Sequence, residues 1–520
     1  MNRSDSAAPS RRSFIRSAAG VAAAAALTRC GGRSNSERPN LLIVMVDEHA
    51  AAVAGCYGDP IAVTPHLDQL AHEGIKFETC YTNSPVCGPA RESFLSGRWI
   101  SQTGVWGNSC WLPSPDTPTF TSALAAAGYD VVLSGKMHLD RTRRYGMREL
   151  WPSHANRFFK SGKGLRLGPE ALSVPSPLWH KRAANFRSGE DSVVLRHDRT
   201  AVDAAADFLA SRRSGDPPFC LIVGLIAPHF PLVVPERWLT RFRGRVPAPN
   251  VPPGYLQTLP LNYRLYRAAL GPTDDDQTNT TLGRECYWGL VGWMDEQLGR
   301  LLAACDRSPV SHQTAVIYTA DHGENKGDHG MWWKGAMFDS ATRVPLIVRW
   351  PQRWKGDQRR LGTTSLIDVT ATVAELGGIA DGGFAAQGSS LVPWLDDSTH
   401  TWKDSAVSEY YGHYVASGFT MLRDGEWKYV YHARRDAQSE PERELYRLDE
   451  DPSELTNLAH QADAAPTVEQ LHQKLVTALG RDPEQIEALC RREIAVGYQR
   501  APDPEALGPD SSPDREEGLD

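Results

Sequence analysis

Leu41-Leu42-Ile43-Val44-Met45-Val46 is an unbroken apolar run of strand length that ends on Asp47. A strand with no polar alternation has no face to show water, so the run predicts a parallel strand buried on both sides. Similar short runs recur as Asp130-Val131-Val132-Leu133, Phe219-Cys220-Leu221-Ile222-Val223-Gly224-Leu225 and Ala315-Val316-Ile317-Tyr318-Thr319. Helical patterns, such as the one from Leu290 to Leu302, separate them. Strands alternating with helices predict an α/β sheet with helices on both faces.

Each run is followed by residues able to do chemistry: Asp47 after the first, Lys136 and His138 after the second, His229 after the third, Asp321 and His322 after the fourth. In open parallel sheets ligands bind outside the carboxyl ends of the strands, so these groups are expected in one crevice. A single Asp or His capping a turn would be ordinary; four such endings predict a site. Asp47 and Asp321 at neighbouring strand ends suit a hard divalent cation. Oxygen donors favour Ca²⁺, Mg²⁺ or Mn²⁺, while His322 tilts the set toward Mn²⁺ or Zn²⁺.

Cys87 stands in Ser84-Pro85-Val86-Cys87-Gly88-Pro89-Ala90-Arg91. Proline is at home in the first turn of a helix, so Pro89 and the residues up to Leu95 predict a helix with Cys87 at its N-terminus. Free amides and the helix dipole there favour an anion, and Arg91 one turn on adds a fixed positive charge. The competing reading is a buried structural cysteine.

With 520 residues, 41% of them hydrophobic, the chain can bury a large core and carry a smaller appendage. A formal charge of −7 and the lack of a basic stripe argue against a nucleic-acid partner. Ser10-Arg11-Arg12-Ser13-Phe14-Ile15-Arg16 precedes an apolar run from Ala18 to Leu27 that is too short to span a bilayer. That pattern is expected to be a twin-arginine export signal, with the Tat translocase as partner and a periplasmic or secreted destination. Leu27-Thr28-Arg29-Cys30 is only a faint lipoprotein box, because Arg29 stands where a small residue belongs. Nine cysteines occur without CxxC pairs, and setting aside Cys30 and Cys87 leaves an odd number, so neither a zinc site nor a disulfide framework is expected.

The expected organisation is an export signal and linker over 1–38, a catalytic domain over 39–400, a C-terminal α+β subdomain over 401–499 and a disordered acidic tail over 500–520. The subdomain expectation rests on short β-like pieces at Trp427–Tyr431 and Leu445–Leu448 and a closing helix near 467–479.

Cys87-Gly88-Pro89-Ala90-Arg91 followed by Gly97-Arg98 resembles the CxPxR signature of the type I sulfatases, with Ala90 in place of the commoner Ser. The likeness extends through Val46-Asp47, Thr64-Pro65-His66-Leu67-Asp68-Gln69-Leu70-Ala71-His72-Glu73-Gly74, Gly135-Lys136-Met137-His138, Ala227-Pro228-His229, Asp321-His322-Gly323-Glu324, Lys334 and Arg343-Val344-Pro345-Leu346. Asn108 and Trp332-Trp333-Lys334 make it most similar to the choline-sulfatase-like branch. The resemblance implies the alkaline phosphatase superfamily fold: a large mixed, mostly parallel sheet with a smaller β-rich C-terminal part.

It also implies hydrolysis of a sulfate monoester. Cys87, converted to formylglycine by a formylglycine-generating enzyme, would supply through its hydrate the oxygen that attacks sulfur. Asp47, Cys87, Asp321 and His322 would surround a divalent metal, Ca²⁺ ahead of Mn²⁺ or Mg²⁺. His229 would protonate the leaving alcohol, Arg91 and His138 would hold the formylglycine, Lys136 and Lys334 would neutralise sulfate oxygens, and Asn108 would touch the sulfate. Many sulfatases carry a second Asp after the first ligand; here Glu48 stands in that place, unassigned.

A phosphonate or phosphate ester hydrolase of the same superfamily would use similar groups, although relatives preferring phosphoryl diesters tend to lack the Lys136 and His138 pattern. A non-catalytic exported binding protein with unconverted Cys87 is the third reading. Trp99, Trp106, Trp111, Trp332 and Trp333 lie near the expected site in sequence, where they could bind a quaternary ammonium or a sugar ring or simply pack in the core.

Overall fold

The computed structural model describes residues 38–496 apart from 109, 141, 157–165, 174–176, 274–275 and 381–383. The twin-arginine segment, Cys30 and the acid-rich end over 500–520 lie outside the described residues.

Eight strands form one sheet: β1 (Asn40–Asp47), β2 (Ile75–Tyr81), β3 (Asp130–Gly135), β4 (Arg148–Glu149), β5 (Phe219–Pro228), β6 (Thr314–Ala320), β7 (Arg343–Arg349) and β8 (Gln358–Ser365). Their order is β8-β2-β7-β6-β1-β5-β3-β4. β7 runs antiparallel to β2 and β6, and all other pairs are parallel. The four apolar runs of the sequence are the consecutive central strands β6, β1, β5 and β3. Every residue of β1, β5 and β6 is buried, which is why these strands read as unbroken apolar stretches.

Two local features aim the strand ends. At the end of β5 the register slips: Val46 pairs with Leu225, but Asp47 pairs with Pro228, so Ile226 and Ala227 form a bulge. Between β3 and β5 the backbones pinch together. A Cβ on Gly224 would lie 1.7 Å from the Lys136 carbonyl oxygen, and Gly135 has φ +92, so only glycine fits at this crossing.

Five helices bear on the site: α1 (Pro65–Glu73), α2 (Cys87–Ser96), α3 (Val193–Ser211), α4 (Gln277–Arg307) and α5 (Leu366–Leu376). Pro65 opens α1, and the Asp295 carboxylate accepts the His66 and Leu67 amides at 3.0 and 2.8 Å, so the Thr64–Gly74 motif is scaffold rather than chemistry. α4 is much longer than the Leu290–Leu302 pattern. Its start is set by Asp276, whose side chain accepts the Asn279 amide at 3.2 Å. Every residue of α2 is buried, and it packs on α5.

A second sheet, order β9-β10-β11-β12, is antiparallel and comprises β9 (Ser405–Tyr410), β10 (Phe419–Asp424), β11 (Trp427–His432) and β12 (Glu442–Arg447). Helix α6 (Ala465–Leu479) lies on β10 and β11, and a further helix, α7 (Pro483–Ala495), follows that the sequence pattern does not suggest. The small sheet is tied to the large one by the fully buried Lys428, which donates to the Met337 carbonyl at 3.0 Å and pairs with Asp339 and Glu454.

Candidate active site

The carboxyl ends of β1, β3, β5 and β6 and the first turn of α2 meet at one place. Cys87 is the first residue of α2, 1% exposed, with the extended Val86 before it. Its Sγ lies 3.1 Å from Lys334 Nζ, 3.2 Å from His322 Nε2 and 3.5 Å from Asp47 Oδ1. Arg91, on the same helix, points into the sheet. Its Nε donates to Asp321 Oδ2 at 2.7 Å, one terminal nitrogen to Asp47 Oδ2 at 3.3 Å and the other to the Lys136 carbonyl at 2.8 Å. Lys136 Nζ pairs with the same Asp47 Oδ2 at 2.6 Å. Burial alone would raise Asp47, but Lys136, His229, Arg91 and Lys334 outweigh it and hold the carboxyl well below its usual range.

Asp47, Cys87, Asp321 and His322 present one donor atom each, all within 4.8 Å of one another and all buried. His322 Nδ1 donates to the Gly323 carbonyl at 2.9 Å, which turns its Nε2 inward. That nitrogen faces Asp47 Oδ1 and Asp321 Oδ1, both at 3.7 Å. Acceptors converging in this way suit a cation.

Asn108 and His138 border the start of α2. Asn108 Oδ1 accepts the Gly88 amide at 3.0 Å, and His138 Nε2 donates to the Asn108 carbonyl at 3.1 Å. Burial, reinforced by Lys136, lowers His138 to about 3. Opposite them, His229 donates from Nδ1 to the Phe230 carbonyl at 2.7 Å. Its Nε2 lies 3.4 Å from Glu48 Oε2 and 4.0 Å from Asp47 Oδ1. Burial and Lys334 push His229 well below its usual value, with Asp47 opposing. The ten residues expected from the sequence are thus one constellation.

Glu48 stands apart from the four-donor group and joins Asp47 and His229 in a second one. Its backbone is left-handed, at φ 68, which swings the side chain toward His229 and Lys334, the latter at 3.6 Å. Burial raises Glu48 well above the usual carboxylate range, with Lys334 opposing and Glu324 adding to it. Glu324, in sequence no more than the last residue of a motif, has a definite role in the fold. Its carboxylate accepts the Lys326 amide at 2.8 Å and the Trp333 amide at 2.5 Å, fixing the turn that delivers Lys334. Trp333 is itself left-handed, at φ 64, as is His138, at φ 60. Left-handed backbone at Glu48, which follows Asp47, at His138 and at Trp333, which precedes Lys334, is the kind of strain that gathers at functional sites. The five tryptophans near the site in sequence are all buried.

A mixed sheet carrying this constellation at its carboxyl edge is the architecture of the alkaline phosphatase superfamily. A solved phosphonate monoester hydrolase of Agrobacterium radiobacter superposes with a TM-score of 0.67 at 22% identity, covering 85% of this chain and 95% of that one, a likeness of fold alone. Residues 39–379 match the family model described as sulfatase, and residues 327–480 match the one described as N-sulphoglucosamine sulphohydrolase, C-terminal. The choline-sulfatase of Rhizobium meliloti (strain 1021) is 29% identical over 446 residues, 81% of this chain and 82% of that protein. The uncharacterized sulfatase YidJ of Escherichia coli (strain K12) is 34% identical over 355 residues, 66% and 68% of the two chains. The chain belongs to the type I sulfatase family and is a sulfuric ester hydrolase.

Proposed function

We propose that the protein is an exported sulfatase that hydrolyses a sulfate monoester with a formylglycine derived from Cys87 and a divalent metal held by Asp47, residue 87, Asp321 and His322. The observation that carries this reading is the crowding of Lys334, His322 and Asp47 within 3.5 Å of one sulfur atom. The thiol itself is a poor nucleophile there: burial, with Asp47 adding to it, pushes Cys87 up to about 12. Conversion to formylglycine, in which a formylglycine-generating enzyme would oxidise the thiol with dioxygen, would remove that obstacle, and its hydrate would supply the attacking oxygen.

The four-donor group fits a metal on chemical grounds, because a histidine nitrogen and an oxygen of each of two carboxylates converge with Cys87 Sγ within 4.8 Å. Ca²⁺ is the first choice, with Mn²⁺ or Mg²⁺ as alternatives; held by these residues, it would supply Lewis-acid stabilisation of negative charge beside residue 87.

The remaining groups act on the substrate. Lys136 keeps its charge because Asp47 outweighs the burial that would lower it, and together with Lys334 it neutralises the sulfate oxygens. Asn108, its Oδ1 already engaged, offers its amide N–H groups to the sulfate. Arg91 and His138 orient residue 87, and His229 delivers the proton to the departing alcohol.

Two partners follow, a formylglycine-generating enzyme and the Tat translocase. The latter carries folded chains, so Cys87 can be modified before export. Residues 1–38 would be the signal and linker, 39–400 the catalytic domain, 401–499 the C-terminal subdomain and 500–520 the tail. Among the described residues no helix is long and apolar enough to cross a membrane, and the eight cysteines are unbridged.

The test is the mass of the Cys87 peptide in enzyme co-produced with the modifying enzyme, read together with turnover of 4-nitrophenyl sulfate and phenyl phosphonate. The aldehyde and its hydrate should appear with sulfatase activity dominant; free thiol throughout an active preparation would overturn the mechanism.

A further inference from the structure

The bulge at the end of β5 leaves two backbone amides without a strand partner. Past Leu225 the ladder to β1 slips, and the ladder to β3 has already ended at Gly135 and Gly224. The Ile226 and Ala227 N–H groups therefore need another acceptor. They find Asp198, in the second turn of α3: Ile226 N donates to Oδ1 at 2.7 Å and Ala227 N to Oδ2 at 2.9 Å. His197 Nδ1 donates to the same Oδ1 at 2.8 Å, and its Nε2 accepts from the Ser153 hydroxyl at 2.9 Å. All three side chains are buried, Asp198 and Ser153 completely. The order Ser–His–Asp is that of a nucleophilic triad, but a serine with no exposed surface attacks nothing.

What the chain of bonds does hold is the segment that carries His229. The His229 amide donates to the Ile226 carbonyl at 2.9 Å, so the residue clamped by Asp198 is also the one that closes the turn beneath the imidazole. We infer that Asp198, oriented by His197 and Ser153, is a positioning residue that fixes the Ile226–Ala227 bulge and thereby sets His229 Nε2 against the reacting ester. A charged acceptor makes each amide bond stronger than a neutral one would, and two amides on one carboxylate fix direction as well as distance. A displaced acid loses rate steeply, since a misplacement of about 1 Å costs on the order of 10²-fold.

The inference rests on the general-acid reading of His229, and the experiment separates the two. kcat and KM are measured on the formylglycine-bearing, metal-loaded enzyme with an alkyl sulfate and with 4-nitrophenyl sulfate, for Asp198→Asn, His229→Ala and the double variant. Asparagine keeps one acceptor oxygen and turns an NH₂ toward the other amide. The expected result is a drop of about 10- to 100-fold in kcat on the alkyl sulfate, little change in KM, and a much smaller loss on the nitrophenyl ester. The double variant should be no slower than His229→Ala alone, because a positioner has nothing left to position. Equal losses on both esters from Asp198→Asn, or losses that multiply in the double variant, would overturn the inference while His229→Ala remains selective. A His229→Ala variant that is itself unselective would instead remove the general-acid reading. If Asp198→Asn does not fold, Ser153→Ala, which deletes only the far hydroxyl, must show the same selectivity at smaller size; unselective or unchanged kinetics there overturns the inference.

Discussion

Arg91 Nε donates to Asp321 Oδ2 at 2.7 Å, and neither side chain has any exposed surface. The same guanidinium takes Asp47 Oδ2, so one cation holds the outer oxygens of both carboxylates. Their other oxygens are left turned toward His322. Arg91 is thus a strut between two strand ends, and that use explains why an arginine sits inside a helix buried all round.

Truncating one member of a buried pair leaves the other charge without compensation, typically at a cost of about 3–5 kcal/mol. Arg91→Met should lower unfolding stability by that order and abolish turnover. Denaturant unfolding followed by circular dichroism checks it. A midpoint equal to wild type would mean that the carboxylates hold their places without the strut.

Asp47→Ala and Asp321→Ala should each lose bound metal together with activity, because each removes a donor and the charge that offsets desolvation of the cation. Elemental analysis of the purified variants decides. Chelation of the wild-type enzyme should also lower Tm, since an ion bound only by the folded state stabilises it by mass action. Full metal content in either variant would place the ion elsewhere.

Glu92 follows Arg91 and is fully buried. Burial, with Arg143 opposing, raises its carboxyl from 4.5 to about 8. A carboxyl whose folded value is raised binds its proton more tightly in the native state, so this contribution is complete below about 4.5 and is lost as pH rises toward 8. Glu92→Gln should therefore unfold with a flatter pH dependence across that window and should gain on wild type at its upper end. Thermal unfolding at several pH values measures this; parallel curves for the two proteins would refute it.

The central strands and the residues at their ends were legible because complete burial writes itself as unbroken apolar text, and a parallel sheet gathers its chemistry at one edge. β2 was not legible, since Ile75-Lys76-Phe77-Glu78-Thr79-Cys80-Tyr81 mixes charge with apolar residues on a half-buried strand. The antiparallel direction of β7 is a matter of topology that the Arg343-Val344-Pro345-Leu346 motif does not encode. Glu48 could not be placed either, because its direction follows from a left-handed backbone turn and not from its neighbours in sequence. Asp198 is in sequence one polar residue among several in α3. Its partners are amides freed by a register slip between two strands distant in sequence, and side-chain type carries no trace of that.

The role proposed for His229 is on the leaving group; its Nε2 faces Glu48 and Asp47 while its Nδ1 is committed to the Phe230 carbonyl. With Nδ1–H committed, proton delivery from Nε2 requires the imidazolium. Burial and Lys334 oppose that form and Asp47 favours it. The acid form is lost as pH rises, so turnover of an alkyl sulfate should decline at lower pH than turnover of 4-nitrophenyl sulfate, whose phenolate departs unaided. For the same reason His229→Ala should slow the alkyl ester by about 10²–10⁴-fold and the nitrophenyl ester far less. A histidine that merely packs between Pro228 and Pro231 would give equal losses on both esters, or a lowered Tm with unaltered selectivity. Comparing the two substrates on folded variant across pH 5 to 9 decides between the roles, and equal loss ends the general-acid assignment.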